Sequence, residues 1–327
     1  MAHTQTSQYQ LVRDWEQLPQ SIVHRDVAGV AVDSHDRVFL LCRGNDPVLI
    51  YNRDGSFVKS WGQGQFTSRT HGITVGPDDS VFCVDDADQT VRKFTPDGEL
   101  LLTLGVSGRA SDTGYTEQHP VVERAGPPFN RPTNLAIAPS GDLYVSDGYG
   151  NARVHRFSAS GQLLQSWGEP GSGEAQFVTP HGIWVHPDGR VFVCDRENDR
   201  LQIFDPFGCY LETWTDVQRP TQLFIDAQGT TYVAELPWKV GQKSPLRGTI
   251  TQDVPGRLSV YDGSGRVLAR WGEADGCAPG SFAAPHSLSV DSHGDIYVAE
   301  VTWTFAVSRG LAPEDCHTFQ KFGRVQG

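Results

Sequence analysis

Short apolar segments alternate with turn signals along most of the chain. The clearest unit, Phe177 to Arg200, reads FVTPHGIWVHPDGRVFVCDRENDR, and in it two apolar, β-rich runs flank a Pro-Asp-Gly turn. Proline presets one backbone dihedral of such a turn and glycine supplies the other, so this stretch predicts a β-hairpin. The unit therefore provides two strands of a small sheet.

A closing strand recurs after each copy of this unit. Its last residue is usually aromatic and usually precedes glycine, and it lies at Trp15, Trp61, Leu104, Trp167, Trp214 and Trp271. Intervals of about 43 to 63 residues are typical of four-stranded propeller blades, two of which here carry extra loops. The pattern predicts an all-β, six-bladed β-propeller.

The two ends of the chain each supply an incomplete blade. Tyr9 to Val12 can form only a fourth strand, and Thr318 to Arg324 stops after a third. A ring closed by the chain ends leaves no unpaired sheet edge, so we expect the N-terminal strand to complete the last blade. Blades pack mainly on their neighbours, and we expect one domain over residues 1–327.

One column of the blade alignment carries candidate metal chemistry. At the same first-strand position the six blades read Ala28, His71, Thr133, His181, Thr221 and His286. Alternate positions of a six-fold ring are related by a third of a turn, so three imidazoles should converge on the central axis. That geometry predicts a three-histidine site with an open fourth position, for which zinc is the first choice and iron or copper are alternatives. The other interpretation is that the three are unrelated channel histidines satisfied by water or backbone.

Three residues that follow second strands should surround the mouth above this site. Arg43 and Arg196 are a candidate clamp for a substrate carboxylate, because guanidinium binds carboxylate through two parallel hydrogen bonds. Tyr149 is a candidate base. The alternative is that the arginines pair with repeat acids such as Asp85 or Asp195 and that Tyr149 packs in a loop.

Insertions at residues 106–128, 236–256 and 301–317 lengthen three loops. The last two are rich in Trp, Phe and Pro and should also lie near the mouth. Candidate pocket residues by position, which could equally serve in lid packing, are Glu235, Trp238, Glu300, Trp303, Phe305 and His317.

The composition of the chain excludes some classes of binding partner and predicts a cellular location. The 327 residues carry a formal charge of −12 without a basic run, so nucleic acid and anionic membrane are not expected partners. The opening MAHTQTSQYQ has no apolar core for a signal peptide, and no apolar run is long enough to span a bilayer. Six cysteines lack CxxC spacing, and reduced cysteines in a cytoplasmic protein are expected. Three of them, Cys42, Cys83 and Cys194, should be small buried hydrophobes at second-strand ends.

These residues together resemble a known family. The run FNRPTNLAIAPSGDLYVSDGYGNARVHRFSASGQLLQSWG and the Phe177 to Arg200 stretch are similar to the six-bladed NHL-repeat propeller of peptidyl-α-hydroxyglycine α-amidating lyase. The resemblance covers nearly all blades. It implies zinc held by His71, His181 and His286, a catalytic tyrosine in a Ser-Asp-Gly-Tyr run at Tyr149, and functional arginines at Arg43 and Arg196.

Two departures from the family pattern bear on this interpretation. The family has aspartate directly after the third histidine, as part of a structural calcium site, whereas this chain has Ser287, which speaks against calcium. The family has a disulfide cysteine after the catalytic tyrosine, whereas this chain has Gly150, as expected of a cytoplasmic relative. The insertions suggest a pocket rebuilt for another substrate.

The resemblance implies a zinc-dependent lyase that cleaves the C–N bond of a small α-hydroxyglycine-type substrate bearing a carboxylate, giving an amide and glyoxylate. Two alternatives stay open, a zinc-dependent hydrolase or hydratase using the same three histidines and a non-enzymatic NHL scaffold that binds a protein. Sugar-lactone hydrolysis fits less well, since such propellers use mainly carboxylate and amide ligands. The oligomeric state is left undetermined.

Overall fold

The computed structural model describes residues 8–325 and contains six four-stranded antiparallel sheets within that range. The predicted six-bladed, all-β propeller is therefore confirmed. Backbone contacts group the described residues into two compact units, the first with residues 8–68, 221–242 and 249–325 and the second with residues 69–220 and 243–248. The prediction of a single domain over residues 1–327 stays a prediction.

The first unit contains blades 1, 5 and 6. Their strands are β2 (Asp26–Val32), β3 (Val38–Arg43), β4 (Val48–Tyr51) and β5 (Phe57–Trp61) in blade 1; β20 (Pro220–Ile225), β21 (Thr231–Glu235), β24 (Arg257–Tyr261) and β25 (Val267–Trp271) in blade 5; and β26 (Pro285–Val290), β27 (Ile296–Glu300), β28 (Phe319–Arg324) and β1 (Tyr9–Val12) in blade 6. A short helix, α1 (Thr302–Phe305), and a 3-10 turn (Val307–Arg309) lie in the insertion at 301–317.

The second unit contains blades 2, 3 and 4. Their strands are β6 (Thr70–Val75), β7 (Val81–Asp85), β8 (Thr90–Phe94) and β9 (Leu100–Gly105); β10 (Pro132–Ile137), β11 (Leu143–Asp147), β12 (Arg153–Phe157) and β13 (Leu163–Trp167); and β16 (Pro180–Val185), β17 (Val191–Asp195), β18 (Arg200–Phe204) and β19 (Tyr210–Trp214). The loops also contain two pairs of two-residue strands. These are β14 (Glu169–Pro170) with β15 (Gln176–Phe177) and β22 (Lys243–Ser244) with β23 (Gly248–Thr249).

The hairpin predicted at Pro187-Asp188-Gly189 is confirmed. Strands β16 and β17 pair in antiparallel register on either side of it. The Gly189 amide donates to the His186 carbonyl at 2.8 Å, and Gly189 has a φ of +93°, a conformation that favours glycine. Local turn chemistry thus defines the first two strands of this blade.

The N-terminal strand completes the last blade, as expected from the incomplete chain ends. Tyr9 pairs with Arg324 and Val12 with Lys321 along β1 and β28. Trp15 lies beyond this strand, not at its end as the closing-strand pattern predicted. Its indole packs at 5.4 to 5.5 Å between ring centroids against Tyr51, Tyr297 and Phe319.

A buried carboxylate ends the second strand in five of the six blades. These residues are Asp85, Asp147, Asp195, Glu235 and Glu300. Three of them accept hydrogen bonds from backbone amides of the segment that precedes their own blade, from Asn130 to Asp147, Val178 to Asp195 and Ala283 to Glu300. The column therefore ties inter-blade linkers to the blades, and Arg43 takes the corresponding position in blade 1.

The cysteines agree only in part with the prediction of reduced thiols. Cys42, Cys83 and Cys194 are buried and free, as expected of small core residues, and burial raises the pKa of the Cys42 and Cys83 thiols. Cys277 and Cys316 form a disulfide, so the expectation is wrong for this pair. Their Cα atoms lie 5.1 Å apart although 39 residues separate them in sequence, a proximity that only the folded loops reveal.

Among residues 8–325, no helix has the length and apolar character needed to cross a bilayer. The predicted lack of a signal peptide in MAHTQTSQYQ concerns residues 1–7 above all, and these lie outside the described residues.

Deleting residues 1–16, the first seven of which lie outside the described residues, should destabilise the fold. The deletion removes β1 from its ladder with β28 and Trp15 from the aromatic cluster. Loss of a buried tryptophan alone costs about 3–5 kcal/mol, so calorimetry should show the melting temperature falling by roughly 10 °C. The control Val23→Ala, at a side chain that is 74% exposed, should melt like the wild type. An unchanged melting temperature for the deletion would contradict the closure by β1.

Candidate active site

His71 lies near the start of β6, and its imidazole is oriented by a backbone carbonyl. Nδ1 donates to the carbonyl of Thr133 at 2.6 Å. A neutral imidazole that carries its proton on Nδ1 presents the lone pair of Nε2. Gly72 allows the approach, because a Cβ at that position would lie 2.7 Å from the same Thr133 oxygen.

His286 repeats this arrangement in the first unit. Its Nδ1 donates to the carbonyl of Ala28 at 2.7 Å, and Ala28 occupies the same column position as Thr133. The side chain is 4% exposed. The Nε2 lone pair of His286 therefore also points away from the backbone carbonyl that Nδ1 contacts.

The two threonines of the column contact the residues that precede the following histidines. The Thr133 hydroxyl donates to the carbonyl of Pro180, the residue before His181, at 2.9 Å. The Thr221 hydroxyl donates in the same way to Pro285, the residue before His286, at 3.0 Å. Each threonine therefore fixes the strand end that carries the following histidine.

His71, His181 and His286 form a buried group that could hold a metal ion. One ligand nitrogen from each lies within 4.8 Å of the other two. The His71 and His181 rings are 4.6 Å apart between centroids. Three imidazole nitrogens fit a transition metal such as zinc, and His71 and His286 are held through Nδ1 by carbonyl oxygens, as metal-binding histidines usually are.

Tyr149 brings its hydroxyl to the histidines of the second unit. Its oxygen lies 3.0 Å from Nε2 of His71 and 3.1 Å from Nε2 of His181. One hydroxyl carries a single proton and can donate to only one of these nitrogens. The Tyr149 hydroxyl therefore lies beside Nε2 of both histidines of the second unit.

Two glycines beside Tyr149 permit this placement. A Cβ at Gly148 would lie 2.1 Å from the carbonyl oxygen of Pro180, and a Cβ at Gly150 would lie 2.1 Å from Oδ1 of Asn130. Gly150 stands where the lyase family has cysteine. The close packing on Asn130 supplies a local reason for glycine in this chain.

Arg196 connects Tyr149 to a carboxylate. Its Nη1 donates to the Tyr149 oxygen at 3.1 Å and its Nε donates to Glu197 at 2.8 Å. Burial lowers the pKa of Arg196, but Tyr149 and Glu197 raise it more, so its pKa lies above the ordinary value. Burial raises the pKa of Glu197, but Arg196 and Arg219 lower it more. Glu197 is therefore ionised and paired with Arg196, whereas Asp195, which the alternative interpretation named as an example of a partner, binds Arg200.

Two arginines beside Tyr149 were not found by sequence reasoning. The guanidinium carbons of Arg131 and Arg69 lie 5.6 and 5.8 Å from the Tyr149 ring centroid, and that of Arg196 lies at 5.2 Å. The Asp86 carboxylate accepts hydrogen bonds from Arg69 and Arg131, at 2.7 Å from Nη2 of Arg69 and 3.2 Å from Nη2 of Arg131. The repeat could have indicated these two arginines, because an arginine directly precedes the first strand in four blades, at Arg25, Arg69, Arg131 and Arg219.

Arg43 contacts the side chains of two residues of the first unit. Its Nη1 lies 3.3 Å from the buried carboxylate of Asp26 and 3.4 Å from the hydroxyl of Thr304. A carboxylate partner of Arg43 is therefore Asp26, at the start of the first strand of the same blade.

The candidate pocket acids have structural partners. Glu235 accepts from Nε of Arg257 at 2.8 Å, and Glu300 accepts from the amide of Ala284 at 3.0 Å. Both belong to the column of buried carboxylates that ends second strands. These contacts favour a structural role, and substrate binding by Glu235 and Glu300 stays a prediction.

The aromatic candidates differ in exposure. Trp238 is 2% exposed and pairs through its backbone with Val254 inside the insertion at 236–256, which favours lid packing. Trp303 is half-buried, with Arg25 stacked 4.3 Å from its ring centroid, and lines a pocket of about 510 Å³. Phe305 packs on a small core cluster with Ala28. Their substrate roles stay predictions.

Ser287 stands where the family has a calcium-binding aspartate. Its hydroxyl accepts a hydrogen bond from the amide of Val30 at 3.2 Å, and the residue is 3% exposed. The serine thus links the inner strands of blades 6 and 1. The expectation that this position does not bind calcium stays a prediction.

Comparison with known proteins decides the family. Residues 129–157 and 177–204 match the NHL repeat. Human NHL repeat-containing protein 3 is 31% identical over 312 residues, which cover 90% of this chain and 81% of that protein. The chain belongs to the NHL repeat family. This confirms the NHL-repeat character of the propeller that the sequence predicted.

Other relatives of this NHL repeat protein have names that specify an activity. Peptidyl-alpha-hydroxyglycine alpha-amidating lyase 1 of Drosophila melanogaster is 34% identical over 162 residues, covering 46% of this chain and 27% of that protein. A streptogramin B lyase structure superposes with a TM-score of 0.61 over 97% of this chain and 98% of that one, at 10% identity. The latter likeness concerns the fold alone.

Replacing a histidine of the group should abolish metal binding. His181→Ala removes one of three nitrogen donors, and we expect the zinc content measured by mass spectrometry to fall from about one ion per chain to near zero. His293→Ala, at an exposed imidazole outside the group, is the matched control and should keep its metal. Full zinc content in His181→Ala would overturn the assignment.

His317 should make stability depend on pH. Burial lowers the pKa of His317, but the Glu300 carboxylate 3.0 Å away raises it more, so its pKa lies above the ordinary value. The stabilisation is then full below about pH 6.5 and is lost as pH rises through the raised pKa. The melting-temperature gap between wild type and His317→Asn should therefore be larger at about pH 6 than at about pH 9. An equal gap at both values would contradict the charged pair.

Proposed function

We propose that this protein is a zinc-dependent lyase acting on a small α-hydroxyglycine-type substrate that bears a carboxylate. The observation that carries the proposal is the position of the Tyr149 oxygen, within 3.1 Å of the Nε2 atoms of His71 and His181 and accepting a hydrogen bond from Arg196. The similarity to a protein named as an amidating lyase supports it.

His71, His181 and His286 would hold the metal. When bound, zinc supplies Lewis acidity toward the substrate hydroxyl oxygen. Neutral histidines leave its double charge undiminished, in contrast to thiolate or carboxylate ligands.

Tyr149 is the proposed proton carrier. It takes the hydroxyl proton of R–CO–NH–CH(OH)–COO⁻, the O–H electron pair becomes the second bond of a new C=O, and the C–N bond breaks. The proton passes to the departing amide nitrogen, so that the products are R–CO–NH₂ and OHC–COO⁻. Arg196 donates to the tyrosine oxygen and would stabilise the tyrosinate that accepts the substrate proton and that forms again once this proton has passed to the nitrogen.

Arg43 and Arg196 are the proposed carboxylate ligands. A guanidinium binds a carboxylate through two parallel hydrogen bonds, which fixes the orientation of the scissile C–N bond. Both side chains are nine-tenths buried or nearly so, which strengthens an ion pair with a substrate.

The proposed substrate is a small molecule, and neither nucleic acid nor membrane is part of the proposal. The disulfide between Cys277 and Cys316 argues against the cytoplasmic location that composition predicted, because disulfides persist mainly in oxidising compartments.

The reaction class can be tested with purified wild-type protein. Incubation with N-acyl-α-hydroxyglycines and ureidoglycolate should release glyoxylate, detected as its phenylhydrazone. Reaction in ¹⁸O-labelled water should leave no label in the amide product and no label in glyoxylate trapped at once, since the carbonyl oxygen comes from the substrate. Label built into the product during turnover would support the hydrolase or hydratase instead. A protein without metal or turnover would support the scaffold.

Tyr149→Phe separates proton transfer from metal binding. The phenyl ring keeps the packing among the arginines but lacks the hydroxyl, so zinc content should be unchanged while kcat falls by roughly two to four decades. Tyr115→Phe, at a tyrosine that binds Arg131 from the insertion at 106–128, is a matched control and should keep most of the turnover. A fully active Tyr149→Phe would exclude the proposed role.

A further inference from the structure

Blade 1 reverses a charge pattern that the other blades share. In blades 2, 3, 4 and 6 a carboxylate ends the second strand and faces a threonine or proline at the start of the first, in the pairs Thr70 with Asp85, Pro132 with Asp147, Pro180 with Asp195 and Pro285 with Glu300. In blade 1 the second strand ends in Arg43, and the carboxylate, Asp26, stands opposite on the first strand. The repeat is thus altered at the one arginine that the proposed function assigns to this blade.

Asp26 is buried and its carboxylate is surrounded by donors. It is 2% exposed. One oxygen accepts from the Thr304 amide at 3.1 Å, and the other accepts from the Thr304 hydroxyl and lies 3.3 Å from Nη1 of Arg43. The Thr304 hydroxyl itself lies 3.4 Å from the same Nη1. Arg43, Asp26 and Thr304 therefore form one hydrogen-bonded unit.

Thr304 comes from the insertion at 301–317, which is fastened at both ends. The Val301 amide donates to Ala284 at 3.1 Å, and the Thr302 hydroxyl donates to the His317 carbonyl at 2.9 Å. Cys316 is joined to Cys277 by the disulfide. A segment held in this way can keep Thr304 in a fixed place over Asp26.

We propose that Asp26 and Thr304 are positioning residues that orient the Arg43 guanidinium toward the substrate carboxylate, and that the insertion at 301–317 is the strap that holds them. This inference rests on the proposed function. Asp26 keeps Nη1 pointed in one direction, and Thr304 binds both partners, so that the planar guanidinium has one preferred orientation. Preorganisation of this kind lowers the entropy lost on binding, and its loss should weaken ground-state binding of a carboxylate.

The decisive variant is Thr304→Val, which keeps the shape and the backbone amide but removes the hydroxyl. Isothermal titration with hippurate, an N-acylglycine that cannot react because it lacks the α-hydroxyl, should show a Kd about tenfold higher than in the wild type. Thr304→Ser should restore wild-type affinity. Thr249→Val, at an exposed threonine of the same unit, is the control and should bind like the wild type. Hippuramide, the neutral analogue, should bind both proteins equally weakly.

The outcomes separate this inference from the proposed function. Equal hippurate affinities in wild type and Thr304→Val, or no hippurate binding by the wild type, would overturn the positioning role. Glyoxylate release is measured independently, and where it occurs Thr304→Val should raise KM more than it lowers kcat. Asp26→Asn should act in the same direction, and a melting curve for each variant confirms that the fold is intact.

Discussion

The candidate metal site depends on a hydrogen bond that occurs twice in the propeller, from Nδ1 of an inner-strand histidine to a backbone carbonyl of the neighbouring inner strand. His71 makes it to Thr133 and His286 makes it to Ala28. Because a carbonyl can only accept, the Nδ1 proton is fixed and the Nε2 lone pair is committed to the opposite side. The fold itself thus prepares a ligand set of neutral imidazoles.

The repeat made much of this predictable. Six closing strands at regular intervals fixed the blade count, and aligning blades on their first strands brought His71, His181 and His286 into one column. The same blade alignment contains two further columns of charged residues. Glu235 and Glu300 fall in the column of buried strand-end acids, and Arg69 and Arg131 fall in a column of arginines that precede first strands.

Contacts made by loops could not be predicted in this way. The disulfide between Cys277 and Cys316 and the hydrogen bond from Thr304 to Asp26 both involve the insertion at 301–317, which has no counterpart in the repeat. No periodicity constrains such segments, and their partners depend on where the insertions fold back.

X-ray absorption spectroscopy of the zinc-loaded protein can test the three-histidine site, because it reports the ligand atoms around the ion. We expect three imidazole nitrogens at about 2.0 Å with one further light-atom ligand. A shell containing sulfur, or one without imidazole, would contradict it.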